Sequence, residues 1–229
     1  MNEVEAKYKK ELHRVTTPRA AAIAGILFGL LFTASLVLLR TAIPADPYSG
    51  TDWIEQGLQR ITIALQLMPF AGIAFLWFIG VVRDRLGRYE DQFFSTVFFG
   101  SGILFLAIVF VSMAIAGGMI AGYKLNPGIT LDSQVIYFGR ALMIELSNVY
   151  ALRMAGVFMI SLGTIWLRTG LMPRWLVILT YLLAVSLLII INLSLWVTLI
   201  FPVWVMLISV ETLVLNLRRS SLGQDFDAV

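Results

Sequence analysis

The chain is expected to fold as an all-α, polytopic transmembrane bundle of six spans with both termini on the cytoplasmic side. Three observations predict this. Of the 229 residues, 59% are apolar and only 14% are charged, against about 25% charged in soluble domains. The apolar residues gather into runs of about 20, the length a helix needs to cross hydrocarbon. The basic residues fall between those runs, overwhelmingly on one side.

Residues 1–17 read as a cytosolic amphipathic leader helix. Glu3 and Lys7, and Glu5 and Lys9, are i,i+4 pairs with the acid first, and Val4, Tyr8 and Leu12 form a thin apolar stripe suited to a membrane surface. The segment lacks a cleavable apolar core, so the first span is itself the insertion signal. Thr17 followed by Pro18 predicts a helix start, a capping hydroxyl and then a proline whose missing N–H is harmless there.

The bundle is expected over 18–217, with spans at about 19–42, 58–82, 92–121, 136–166, 174–191 and 195–217, and a cytosolic tail over 218–229. Trp175 to Leu217 holds a single charge, Glu211. As one helix it would extend ~65 Å, twice the ~30 Å core. It must therefore reverse, and Asn192 and Ser194 mark the place. The N-terminal side receives Lys7, Lys9, Lys10, Arg14, Arg19, Arg83, Arg85, Arg88, Arg168, Arg174, Arg218 and Arg219, whereas the far side receives Arg40, Arg60 and Lys124. The positive-inside rule places the first set, and both termini, in the cytoplasm.

The far-side connections are turn-rich. Pro44 to Gly57 is acidic, with Trp53 expected as an interfacial anchor, and Asn126-Pro127-Gly128 is a strong turn signal. Pro69 and Pro202 sit within apolar runs and are expected to kink spans two and six. Ala21, Gly25, Gly29 and Thr33 recur every four residues along span one. Gly118 and Gly122 repeat the spacing in span three, and Ala151 and Ala155 in span four. Such stripes let helices approach closely in lipid. Intramolecular packing is the expected use of the first stripe; a homo-oligomer or larger membrane complex seamed through it is the alternative.

Arg153, deep in span four, is the outstanding charge. A cation at that depth costs roughly 2.5 kcal/mol or more unless it finds a partner or a cavity. At 100° per residue Glu145, Asn148, Leu152, Arg153, Gly156 and Gly163 share about 140° of arc, a face expected to look into the bundle. Glu211 is the expected partner, since both residues lie ~24 Å down their helices from the outer ends; Arg218 competes for Glu211. Nearer the outer side Glu145, Gln66 and Arg40 are expected to meet, while Arg140 snorkels to the boundary. Two readings of this polar cluster stand side by side: ion pairs that hold helices in register, or a cavity for an anion, proton or small polar solute.

The exclusions are sharper. Cysteine is absent and His13 is the only histidine, so no span offers a thiolate, a haem ligand or a Ser–His pair. No metal site, catalytic residue or cofactor is expected. Gly100-Ser101-Gly102 lacks a base and reads as helix packing. No lysine lies in a span for a Schiff base, and no regular arginine ladder suggests a voltage sensor. Basic residues clustered between spans rather than along one face argue against nucleic acid; the lipid bilayer is the expected partner.

The segment WLRTGLMPRWL, Trp166 to Leu176, resembles the junction between spans four and five in a family of uncharacterised six-helix bacterial membrane proteins. The resemblance covers about 30 residues together with overall size and span count. It implies the cytoplasmic (inner) membrane of a bacterium and carries neither an activity nor site residues. For function, a non-enzymatic accessory or scaffold subunit is the leading expectation. A small transporter or channel with a polar cavity around Arg153 is the second, and a lipid-modifying enzyme built on Glu145 and Glu211 the third.

Overall fold

In a computed structural model, the described backbone covers residues 3–44, 53–86, 92–125, 133–189 and 195–226, and side chains are described over 19–44, 53–84, 93–124, 134–189 and 196–215. Every regular element among them is helical: α1 (Glu3–Ala42), α2 (Trp53–Leu86), α3 (Gln92–Leu125), α4 (Ser133–Glu145), α5 (Leu152–Thr169), α6 (Arg174–Ile189) and α7 (Ile200–Phe226). A π turn, Leu146–Ala151, joins α4 to α5 as one rod, and a 3-10 turn, Leu195–Leu199, leads into α7. The six rods match the expected six helices. Five are long and apolar enough to cross a membrane; the sixth, Arg174–Ile189, is a shorter apolar helix. The chain is a multi-pass membrane protein. Its outward-facing side chains agree, with Phe70, Trp77, Leu182 and Ile189 all more than 60% exposed, as lipid-facing residues should be.

α1 lies against α2 and α7, α3 against α2, α4 and α5, and α6 flanks α5. The core is aromatic. Phe28, Phe75, Phe105, Phe158 and Phe201, one from each of α1, α2, α3, α5 and α7, meet at one level and are 2% exposed or less. Ring centroids stand 4.6 Å apart for Phe28–Phe75, 5.6 Å for Phe75–Phe158 and 4.5 Å for Phe105–Phe201. Trp204 extends the layer and donates through Nε1 to Thr180 Oγ1 at 2.9 Å. That bond ties α7 to α6. The reversal at Asn192 and Ser194 itself lies outside the described residues, as do the Asn126 turn and the side chains of the leader and tail.

Several expectations are corrected. α1 runs without a break from Glu3 to Ala42, so Thr17 does not start a helix and the leader is the first four turns of the same rod. Pro18 removes only its own backbone donor, a local loss in a helix of 40 residues. Pro202 sits in the first turn of α7, directly after the 3-10 turn, rather than within a long run of helix. α2 remains one helix across Pro69. Trp53 is buried rather than interfacial.

The stripe on α1 faces α7. A Cβ on Gly25 would collide with Ser209 Oγ, and one on Gly29 would stand 2.9 Å from Met206 Cβ and 3.1 Å from the Pro202 carbonyl. At Gly25 and Gly29 that face is occupied within the chain, by α7. Gly118 has open space around it, and Ala151 and Ala155 are buried. α5 ends in Gly170, whose left-handed backbone (φ 63°) donates to the Trp166 carbonyl at 2.9 Å, a glycine cap that turns the chain toward Pro173 and α6.

Candidate functional site

The polar residues do not gather around Arg153. Phe158 and Phe201 place α5 and α7 in register at the aromatic layer. Arg153 lies five residues from Phe158 toward the start of α5, and Glu211 ten residues from Phe201 toward the end of α7. At 1.5 Å per residue they stand ~22 Å apart along the bundle, on opposite sides of the rings. No pair forms: both are half-buried, and among the described residues neither makes a hydrogen bond or ion pair. Equal depth from the outer ends was the wrong ruler, because α4 and its π turn extend the fourth rod well beyond the start of α7. Arg218, the other expected partner of Glu211, has no described side chain.

The expected face of span four is also divided. Gly156 approaches the Ala184 carbonyl of α6 at 3.1 Å from a built Cβ, and Gly163 approaches Thr180 at 3.3 Å, so these glycines serve helix packing. Glu145 is exposed. Gln66 is exposed too; it lies at a suitable depth on the wrong side of α2. The 100° wheel that joined Glu145 to Arg153 presumed an α-helix throughout, whereas Leu146–Ala151 is a π turn, which widens the helix and breaks that phase.

What the π turn does present is Asn148. Its Oδ1 accepts from Arg40 Nη2 at 2.7 Å, joining the last turn of α1 to the fourth rod. The turn is supported from below: the Met143 carbonyl accepts from Ser147 Oγ at 2.8 Å and from Ser112 Oγ of α3 at 2.9 Å. Side-chain donors thus serve the backbone where the regular ladder is disturbed. Arg140, two turns earlier, does not snorkel. It is buried, and its Nη2 donates to the Pro44 carbonyl at 2.7 Å, just past the end of α1. Arg60 meets the Thr41 carbonyl at 2.8 Å. Arginines therefore complete the carbonyl end of α1, where cations are favoured.

The result is two buried guanidinium groups at the bundle end remote from the N-terminus, each 7% exposed, near enough for their like charges to oppose one another. Nε and Nη1 of Arg40 have neither solvent nor a hydrogen-bond partner. Of the six expected site residues, the fold brings together Arg40 and Asn148 and leaves out Glu145, Gln66, Arg153 and Glu211. Sequence reasoning missed Arg140, Ser112 and Ser147. The signal for Arg140 was its spacing of two turns from Asn148 on one helix; nothing in the sequence marked the serines. Among the described residues no cluster of histidine, aspartate or glutamate suits a metal ion. Comparisons with protein-family models, curated proteins and solved structures find no match.

Proposed function

We propose that this protein is a non-enzymatic accessory or scaffold subunit of a bacterial cytoplasmic membrane, with both termini in the cytoplasm, acting through its packed helical surface rather than by moving a solute. The aromatic layer carries this reading. Five helices each contribute a buried phenylalanine to it, and rings 4.5–6.1 Å apart leave a dense apolar middle of the kind that excludes water. The expected marks of a transporter, a polar cavity at Arg153 flanked by two proline kinks, gain no support from a half-buried Arg153 and a Pro202 in the first turn of its helix. The uneven distribution of Lys and Arg supports the orientation.

Two measurements test the proposal together. Purified protein in liposomes is expected to give proton, potassium and chloride leak no faster than empty vesicles, for the wild type and for Arg153→Ala alike. In-membrane cross-linking of the tagged chain is expected to yield one membrane partner in fixed stoichiometry. A solute flux that Arg153→Ala abolishes while the protein stays folded contradicts the proposal. Orientation is tested separately. The chain has no cysteine, so Lys124→Cys is expected to react with an impermeant maleimide on intact cells and Ser220→Cys only after lysis.

A further inference from the structure

Arg153 is the deep charge that the fold leaves open. It lies close to the middle of its span, Gln134–Thr169, where a cation in lipid is costly and a guanidinium cannot shed its proton to escape that cost. It is half-buried, and among the described residues it makes no hydrogen bond or ion pair. Unlike Arg40, it has no nitrogen that is both covered and unpaired, so its guanidinium opens onto the side of the bundle. The acids among the described side chains are Glu55, Asp84, Glu145 and Glu211. Glu55 and Asp84 stand near the two ends of α2, Glu211 lies ~22 Å away beyond the rings, and Glu145 is ~12 Å nearer the remote end at 1.5 Å per residue. The connection 190–194, which follows α6, contains no acid at all. Counted from the aromatic layer, Arg153 is also ~13 Å short of the level of Ala42, where the first span ends. That is farther than one arginine side chain extends, so snorkelling does not carry it to a headgroup.

We propose that Arg153 anchors a docking face for a transmembrane helix of a second protein, one that carries an aspartate or glutamate at the same depth. This rests on the scaffold reading above and gives its partner a chemistry. A carboxylate matches a guanidinium both in charge and in paired hydrogen bonds, and ionisable groups within a membrane characteristically pair with one another. The flanking residues suit helix contact. Tyr150, 54% exposed, stands in the π turn just before Arg153, and the half-buried Val157 and Ile160 continue its face at i+4 and i+7 along α5. Arginine and tyrosine are among the residue types that carry most of the energy of such contacts. A second copy of this chain does not fit. In a parallel pair its Glu145 and Glu211 keep the depths just given, and an inverted copy contradicts the one-sided placement of Lys and Arg.

The test places the full-length protein in phosphatidylcholine vesicles with synthetic Leu-Ala transmembrane helices and reads their association by energy transfer. The helices carry Glu at the centre, Gln at the centre, or Glu two turns toward either end. The helix with central Glu is expected to bind about tenfold tighter than the others. Arg153→Gln is expected to abolish that preference, Arg153→Lys to keep most of it, and Arg153→Glu to transfer it to a helix with central Lys. Thermal unfolding in detergent, expected to change little, shows that each variant is folded; if Arg153→Glu is not, the Gln and Lys variants decide. In native membranes the cross-linked partner is expected to be lost in Arg153→Gln and kept in Arg153→Lys. The proposal is overturned if the wild type binds the central-Glu and central-Gln helices alike, or if its preference survives Arg153→Gln. It is equally overturned if the wild type self-associates and Arg153→Gln and Glu145→Gln each abolish that contact, since the counter-charge is then a second copy's. A solute flux through the vesicles contradicts the scaffold reading, whereas indifference to the helix charge without flux contradicts this docking face alone.

Discussion

The middle of this bundle and the end remote from its N-terminus bury side chains by different chemistry. In the middle, five phenylalanines and Trp204 fill the space between helices with rings, and the polar atoms there are hydroxyls that bond the backbone of their own helix, as Ser161 and Thr180 do at 2.9 and 2.8 Å. Such groups carry a hydrogen bond with them, and Thr180 also accepts one from Trp204 of α7. At the remote end, the buried groups are charged and reach between helices, from Arg40 to Asn148 and from Arg140 to Pro44. The buried groups without a hydrogen-bond partner differ in kind: neutral hydroxyls at Thr33 and Ser209 along the bundle, guanidinium nitrogens of Arg40 at the remote end. In a membrane protein, a charge that a fold does not satisfy internally is a place to look for a partner.

The largest expected effect strikes the middle. Phe158→Ala opens a cavity among rings that cannot collapse into it and is expected to cost about 3 kcal/mol or more, measured by denaturation in mixed micelles; a loss below 1 kcal/mol would mean the layer is loosely packed or wet. Next comes the remote end. Asn148→Leu leaves Arg40 Nη2 without its acceptor and is expected to cost about 2 kcal/mol, measured by the same denaturation. Gly25→Ala, which presses a methyl group into Ser209, is expected to cost about 1–2 kcal/mol, whereas Gly100→Ala, with nothing near its Cβ, stays within about 0.5 kcal/mol. The smallest effects belong to the pair favoured from sequence. Arg153→Met and Glu211→Gln are each expected to shift stability by about 0.5 kcal/mol or less, and the double variant to be additive. A coupling above 1 kcal/mol would restore the ion pair and blur the contrast between the two regions.

These outcomes bear on how much was legible in the sequence. Length and hydropathy sufficed for the six helices, because a run of apolar residues has few solutions in lipid. The glycine spacing on α1 pointed correctly to close packing. Side-chain placement was harder. The π turn at Leu146–Ala151 has no sequence mark, and a wheel drawn at 100° per residue carried Glu145 and Arg153 onto a shared face that does not exist. Depth was misjudged for Arg153 and Glu211 because helices of unequal length were aligned at their ends, whereas the aromatic layer sets their register. Arg40 and Asn148 were named, but as minor members of a cluster. Their prominence comes from burial, which depends on how α1 meets the fourth rod across more than 100 residues of chain.

The contrast between a dry middle and a charged end is tested most directly by water itself. The absence of native cysteine allows single thiols to be placed at Ala71 of α2 and Ala155 of α5, both fully buried beside the aromatic layer, with Lys124→Cys as the exposed control. Protein in native membranes is then treated with a water-soluble maleimide from both sides. Labelling of Lys124→Cys with no reaction at Ala71→Cys or Ala155→Cys is the predicted result; rapid labelling of either buried thiol in folded protein would place water in the centre of the bundle and contradict the account.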